Sequence, residues 1–132
     1  MKIFLSYRFT GEDPIELKEN LERILNVLRA NNHDVYCSIE DEAWFQEKKH
    51  TNKDIIEHAF NKLDEVDIVL VYIKSNEKSE GMLIEIGYAL SKGKKIVLAI
   101  KNGISTTFVR QVADPVVEFD SLEDLCEKLK TF

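Results

Sequence analysis

The chain has 132 residues, 44% of them apolar and 32% charged, with two prolines and five glycines, which excludes a disordered or low-complexity polypeptide. That length supports one domain, residues 1–132, that buries a core without disulfides or structural metal. A formal net charge of -6 argues against a nucleic-acid polymer as partner, because duplex binding relies on clustered Lys and Arg. The short basic stretches, Lys48-Lys49 and residues 92–95, read as solvated loop and helix ends and are assigned no partner.

Residues 2–6 (KIFLS) read as a short buried strand. Gly11 to Pro14 then supply a turn and a helix start, with Asp13 as cap, Pro14 at the first helical position and Glu16 where a capping-box acid belongs. Leu17, Leu21, Ile24, Leu25 and Leu28 follow at helical spacing, so this helix runs to about residue 31. A second strand is expected at 34–38. Residues 39–51 are charged and aromatic without a clean period, and long irregular loops in compact domains are often functional.

Ile55, Ile56, Ala59, Phe60 and Leu63 mark another helix, and IVLVYI after Asp67 suits a central parallel strand covered on both faces. A helix at 80–92 ending at Gly93, a strand at 95–100, a short helix at 106–112, a strand at 116–119 and a Ser121-capped helix to 130 complete the chain. Alternating strands and helices imply a parallel sheet with right-handed crossovers. The expected fold is α/β, a flavodoxin/Rossmann-like three-layer sandwich with five parallel strands in the order 2-1-3-4-5, and ligand bound at the strands' carboxyl ends.

Cys37 and Cys126 form no CxxC or disulfide framework, the opening residues lack a signal-peptide pattern, and no apolar run approaches a membrane span. A cytoplasmic setting without membrane partner, metal or cofactor is expected.

The switch point of such a sheet brings Ser6, Tyr7 and Arg8 close to residues 75–85. Glu85 falls on the shoulder of the apolar face of the 80–92 helix, one turn after Gly81, where a ligand could approach the backbone. A glutamate there, ionised partly through the helix amides, suits attack on an electron-poor anomeric carbon; the plainer alternative is an exposed helix glutamate. Ser6, Arg8 and Ser79 with the helix amides resemble a phosphate site, against the alternative of a simple Ser79 cap and a solvated Arg8. Trp44 and Phe45 are candidates for a base-stacking wall, or equally for core or lid residues.

KIFLSYR, DIVLVYI and SEGMLIEIGYALSKGKKIVLAI together resemble the nucleoside 2-deoxyribosyltransferase superfamily, closest to its 2′-deoxynucleoside 5′-monophosphate N-hydrolases. The resemblance implies that Glu85 attacks C1′ to release the base, with water or a second base completing hydrolysis or transfer. Six residues before that glutamate the nucleoside-specific transferases carry an acid and the monophosphate hydrolases a serine; here it is Ser79. A 5′-monophosphate substrate is thereby implied, with Ser6 and Arg8 as further contacts. TTFVRQVAD resembles the segment that sends a hydroxyl to a partner's phosphate, which assigns that task to Thr106 and implies a homodimer; a helix cap is the alternative.

Two departures stand out. The resemblance places a helix aspartate that aids base protonation at Ala59, so His58 or a carboxylate of Asp41 or Glu42 would have to substitute, unless His58 is a surface histidine. The first-strand tyrosine is replaced by Lys2 or Ile3. A TIR-like NAD-cleaving domain, similar in its F-x-S-Y-R opening but differing at Gly81, and a non-catalytic nucleotide-sensing domain are the competing readings.

Overall fold

The computed structural model describes residues 1–105 and 107–132. Among them, β1 (Lys2–Tyr7), β2 (Asp34–Tyr36), β3 (Ile68–Ile73), β4 (Lys95–Lys101) and β5 (Val116–Phe119) form one parallel sheet in the order β2-β1-β3-β4-β5, as the sequence predicts. The helices are α1 (Pro14–Ala30), α2 (Glu42–Glu47), α3 (Asn52–Asp64), α4 (Glu80–Ser91), α5 (Val109–Val112) and α6 (Leu122–Leu129), with a 3-10 turn at Ser38–Glu40.

Strand alternation sends successive side chains to opposite faces of the sheet. Ile3 and Leu5 join Leu17, Leu21, Leu25, Leu125 and Leu129 under α1 and α6. Phe4 joins Met82, Ile86 and Ala89 of α4 and Leu63 of α3 on the other face. Ser6 therefore falls on the α4 face, in a row across the sheet with Val71 and Leu98. It is 1% exposed, and a hydroxyl in an apolar row needs a partner.

The Asp13 side chain caps α1 by accepting from the Ile15 amide at 3.0 Å, with Pro14 at the start. Glu16 does not complete a capping box; its carboxylate lies 3.9 Å from Lys74. Leu21 is fully buried in the α1 stripe. Leu21→Ala is expected to cost about 2–5 kcal/mol by leaving a cavity, measured as a lower midpoint in urea unfolding.

Residues 39–51, read as irregular from sequence, contain most of the 3-10 turn and all of α2. Six residues are too few for a hydrophobic period to declare itself. Arg29 anchors the turn by donating to both Glu40 oxygens, at 2.9 and 2.5 Å, and to the Val35 carbonyl at 3.0 Å. The helix expected at 106–112 is the shorter α5. Among the described residues no helix is long and apolar enough to cross a membrane.

Candidate active site

Glu85 sits in the second turn of α4, and the Ser6 hydroxyl donates to its Oε1 at 2.8 Å. Burial pushes the Glu85 carboxyl from its ordinary 4.5 up to about 7, and the Ser6 bond opposes the rise only in part. The ionised state expected from the helix amides is thus not the dominant effect, because the dipole fades beyond the first turn while desolvation does not. A carboxyl of this kind exchanges its proton near neutrality. Tyr7 and Cys37, whose charges would act on Glu85, are kept neutral chiefly by burial, which pushes the Cys37 thiol up to about 12 and the Tyr7 phenol higher still. Ionised Glu85 therefore meets no competing thiolate. Gly81, one turn earlier, is exposed and has open space where a side chain would stand.

A cavity of about 620 Å³ opens at the carboxyl ends of β1, β3 and β4, with Tyr7, Arg8, Lys74, Ser79, Leu83 and Phe108 among its walls. It straddles the top of the sheet, since Leu17 and Tyr72 of one core and Met82 and Val109 of the other also line it. Of the residues singled out from sequence, Arg8 and Ser79 reach this cavity, whereas Ser6, Gly81, Glu85 and Trp44 are not in its walls. Thr106 lies outside the described residues.

Arg8 donates to Glu12 at 2.8 Å, and Lys74 approaches the same carboxylate at 3.2 Å. Lys74 also lies 3.9 Å from Glu16, so the two cations face two carboxylates. The Arg8 Nε is buried with no partner among the described residues, and a Cβ on Gly11 would stand 2.6 Å from its Nη2. Gly11 has φ +82°, a left-handed backbone that favours glycine, and a side chain there would push the guanidinium aside. The Ser79 Oγ caps α4 by accepting from the Met82 amide at 3.2 Å, which leaves its O–H free to donate.

The sequence offered Asp41 and His58 as alternative proton donors and Trp44 as a stacking residue, and the structure joins the three with His50. The Asp41 Oδ2 accepts from His58 Nε2 at 2.7 Å and from the Tyr36 hydroxyl at 2.8 Å. Burial raises the Asp41 carboxyl, but the His58 and Tyr36 bonds and the His58 and Lys62 charges outweigh it and hold the group below its usual range. Trp44 stacks on both His50 and His58 at 3.7 Å, within 10° of parallel. Two imidazoles at that distance cannot share one face, so the indole is sandwiched and neither face is open to a base. Its edge meets Phe45 at 5.0 Å.

The roles of Tyr7 and Lys74 were also missed. Tyr7 shares its hydroxyl with Ser38 Oγ at 2.7 Å and lines the cavity. Its place directly after Ser6, hence on the opposite face of β1, was the signal available. Among the described residues no cluster of three His, Cys, Asp or Glu could hold a metal.

The family model for nucleoside 2-deoxyribosyltransferase matches residues 7–119. No curated protein sequence matches the chain. Among solved structures, the CMP N-glycosidase BcmB of Clostridium botulinum is similar at TM-score 0.74 and 17% identity, with all of both chains covered. The 2-deoxyribosyltransferase of Bacillus psychrosaccharolyticus is similar at TM-score 0.75 and 20% identity, covering 100% of this chain and 92% of that one. A conserved protein of Enterococcus faecalis V583 follows at TM-score 0.69 and 17% identity, with 99% and 98% covered. At these identities the structural likeness establishes the shared fold.

Proposed function

The chain belongs to the nucleoside 2-deoxyribosyltransferase family, enzymes of base–sugar bond chemistry, and from that premise we propose that it releases the base from (deoxy)nucleoside 5′-monophosphates with Glu85 as nucleophile. In its ionised form Glu85 attacks C1′, the C1′–N bond breaks toward the base, and water resolves the glycosyl ester; a second base in place of water gives transfer. Ser6 orients the carboxylate through its hydrogen bond. Arg8 and Ser79, in the wall of the cavity, hold the phosphate, and Gly81 leaves room for the sugar.

One observation carries the reading: a desolvated, Ser6-held carboxyl shares a helix with the Ser79 cap of the cavity. Glu85 and Ser79 are six residues apart on α4, about 9 Å along the axis. That spacing suits a phosphate at one end and an anomeric carbon at the other. The homodimer belongs to the same proposal, with Phe108 (91% exposed) and Leu83 on the cavity rim as apolar surface for a second copy to cover.

The test is chromatography for free base after incubation with deoxycytidine, deoxyguanosine, deoxyadenosine and thymidine 5′-monophosphates, with the nucleosides and NAD alongside. Base release from a monophosphate in preference to its nucleoside supports the reading; cleavage of NAD alone overturns it. Adding a second free base distinguishes transfer from hydrolysis.

Because the nucleophile must be ionised, kcat/KM is expected to rise with pH through about 7 as Glu85 loses its proton. Ser6→Ala removes the bond that favours the ionised form and is expected to move this limb of the pH–rate profile upward.

A further inference from the structure

We infer that Tyr72 is a substrate-binding residue whose hydroxyl donates to the 5′-phosphate from the sheet side of the cavity and so helps to select nucleotides over free nucleosides. The inference rests on the glycosidase reading above and adds a contact from β3 to those of Arg8 and Ser79.

Tyr72 lies in register with Tyr7 of β1 on one side and Ala99 of β4 on the other. Strand alternation turns it to the face under α1 and α6, where its ring packs in the core and stacks at 5.8 Å from Phe119, within 19° of parallel. Ala99, on the strand between the two rings, is small enough to let them meet. The residue is 5% exposed, and it lines the cavity at the carboxyl ends of the strands. A phenol so buried ordinarily has its hydroxyl bonded within the protein. Tyr7 follows that rule through Ser38. The Tyr72 hydroxyl has no partner among the described residues and is not sealed from solvent, so it faces the open space of the cavity.

The surroundings decide what this hydroxyl holds. The Glu12 carboxylate is near enough for its charge to act on the phenol, yet it gives one oxygen to Arg8 at 2.8 Å and the other to Lys74 at 3.2 Å. Lys74 stands two residues after Tyr72, and Ser79 keeps an O–H free to donate. Arg8, Lys74, Ser79 and Tyr72 thus bring donors from four positions to one cavity. Burial, and after it the Glu12 charge, pushes the phenol from its ordinary 10.0 up to about 12, so it keeps its proton and donates throughout the neutral range. The terminal oxygens of an ionised phosphate only accept, which suits such a set. A ring locked by packing also presents its donor without further ordering when the ligand arrives. Because the hydroxyl makes no bond that holds the fold, Tyr72→Phe removes a ligand contact and no structural one.

Three measurements compare Tyr72→Phe with wild type. The kcat/KM for the deoxynucleoside monophosphate turned over fastest, divided by that for its nucleoside, is expected to fall about 10-fold, the effect of losing a hydrogen bond to a charged group. Kd of the same monophosphate, read by calorimetry on the Glu85→Gln background where no ester forms, is expected to rise by a similar factor. The urea midpoint of the free protein is expected to equal or exceed that of wild type. An unchanged Kd, or kcat/KM losses equal for nucleotide and nucleoside, overturns the inference and leaves the glycosidase reading standing. A lowered midpoint assigns the hydroxyl a partner within the fold and overturns the inference as well. A wild type that releases no base, with a monophosphate Kd that still responds to Tyr72→Phe, overturns the reading and keeps the contact; a protein that binds no monophosphate overturns both.

Discussion

Glu85→Gln is expected to lower base release by about 10⁴-fold or more while making the fold more stable above neutral pH. The first effect follows from removing the attacking oxyanion, since an amide forms no glycosyl ester. The second follows from the proton balance. The folded carboxyl, at about 7, lies above its ordinary 4.5, so between those values the native state binds a proton that the unfolded chain has released. Glu85's contribution is therefore fully present below 4.5 and lost as pH rises through 7. Above 7 the fold carries a desolvated charge that costs up to about 3 kcal/mol, less whatever its solvent contact recovers. Glutamine is neutral at every pH, and its amide oxygen still accepts from Ser6. Urea unfolding should show a higher midpoint for the variant at pH 8 and no gain at pH 4. A non-catalytic nucleotide-binding domain would show no base release to lose, and an ordinary surface carboxylate would show no gain at pH 8.

That opposition between function and stability explains why the position of Glu85 was legible in the sequence and its protonation was not. Helical spacing places Glu85 on the shoulder of α4, and the E-I-G segment carries the family resemblance. Its proton affinity, by contrast, sums burial by the layers packed around it, which raises it, and the Ser6 bond from β1, which lowers it, neither being adjacent in sequence. The same divide runs through the fold. β3 reads as central because IVLVYI is apolar on both faces, and α1 reads as a helix from Asp13, Pro14 and its leucine stripe. Residues 39–51 hid α2 and the aromatic sandwich because Trp44, His50 and His58 meet only after α3 folds back beside the loop. Ser6 was grouped with Arg8 as a phosphate contact, although strand alternation already separates it from Tyr7 and aims it at α4. Arg8 and Glu12 pair within the non-helical turn before α1, so no helical spacing announced the contact.

Ser79→Asp is expected to lower kcat/KM for a nucleoside 5′-monophosphate by about 100-fold, chiefly through KM, and to change that for the matching nucleoside little. The substitution isolates charge because aspartate is as good an N-cap as serine, so the bond to the Met82 amide and the start of α4 are retained. What changes is a carboxylate facing the phosphate in a cavity wall where Arg8 and Lys74 are already partly neutralised by Glu12. Like charges about 4 Å apart near a protein surface repel by about 4 kcal/mol per pair, and the neighbouring guanidinium and ammonium offset part of that. Ser79→Asn supplies the matching neutral cap of nearly the same size, so any loss it shares with the aspartate variant is steric. A monophosphate KM equal in the two variants would remove Ser79 from the phosphate site. A monophosphate KM raised only by the aspartate, with the nucleoside unaffected, places the phosphate at the head of α4 and leaves the sugar to span the helix toward Glu85.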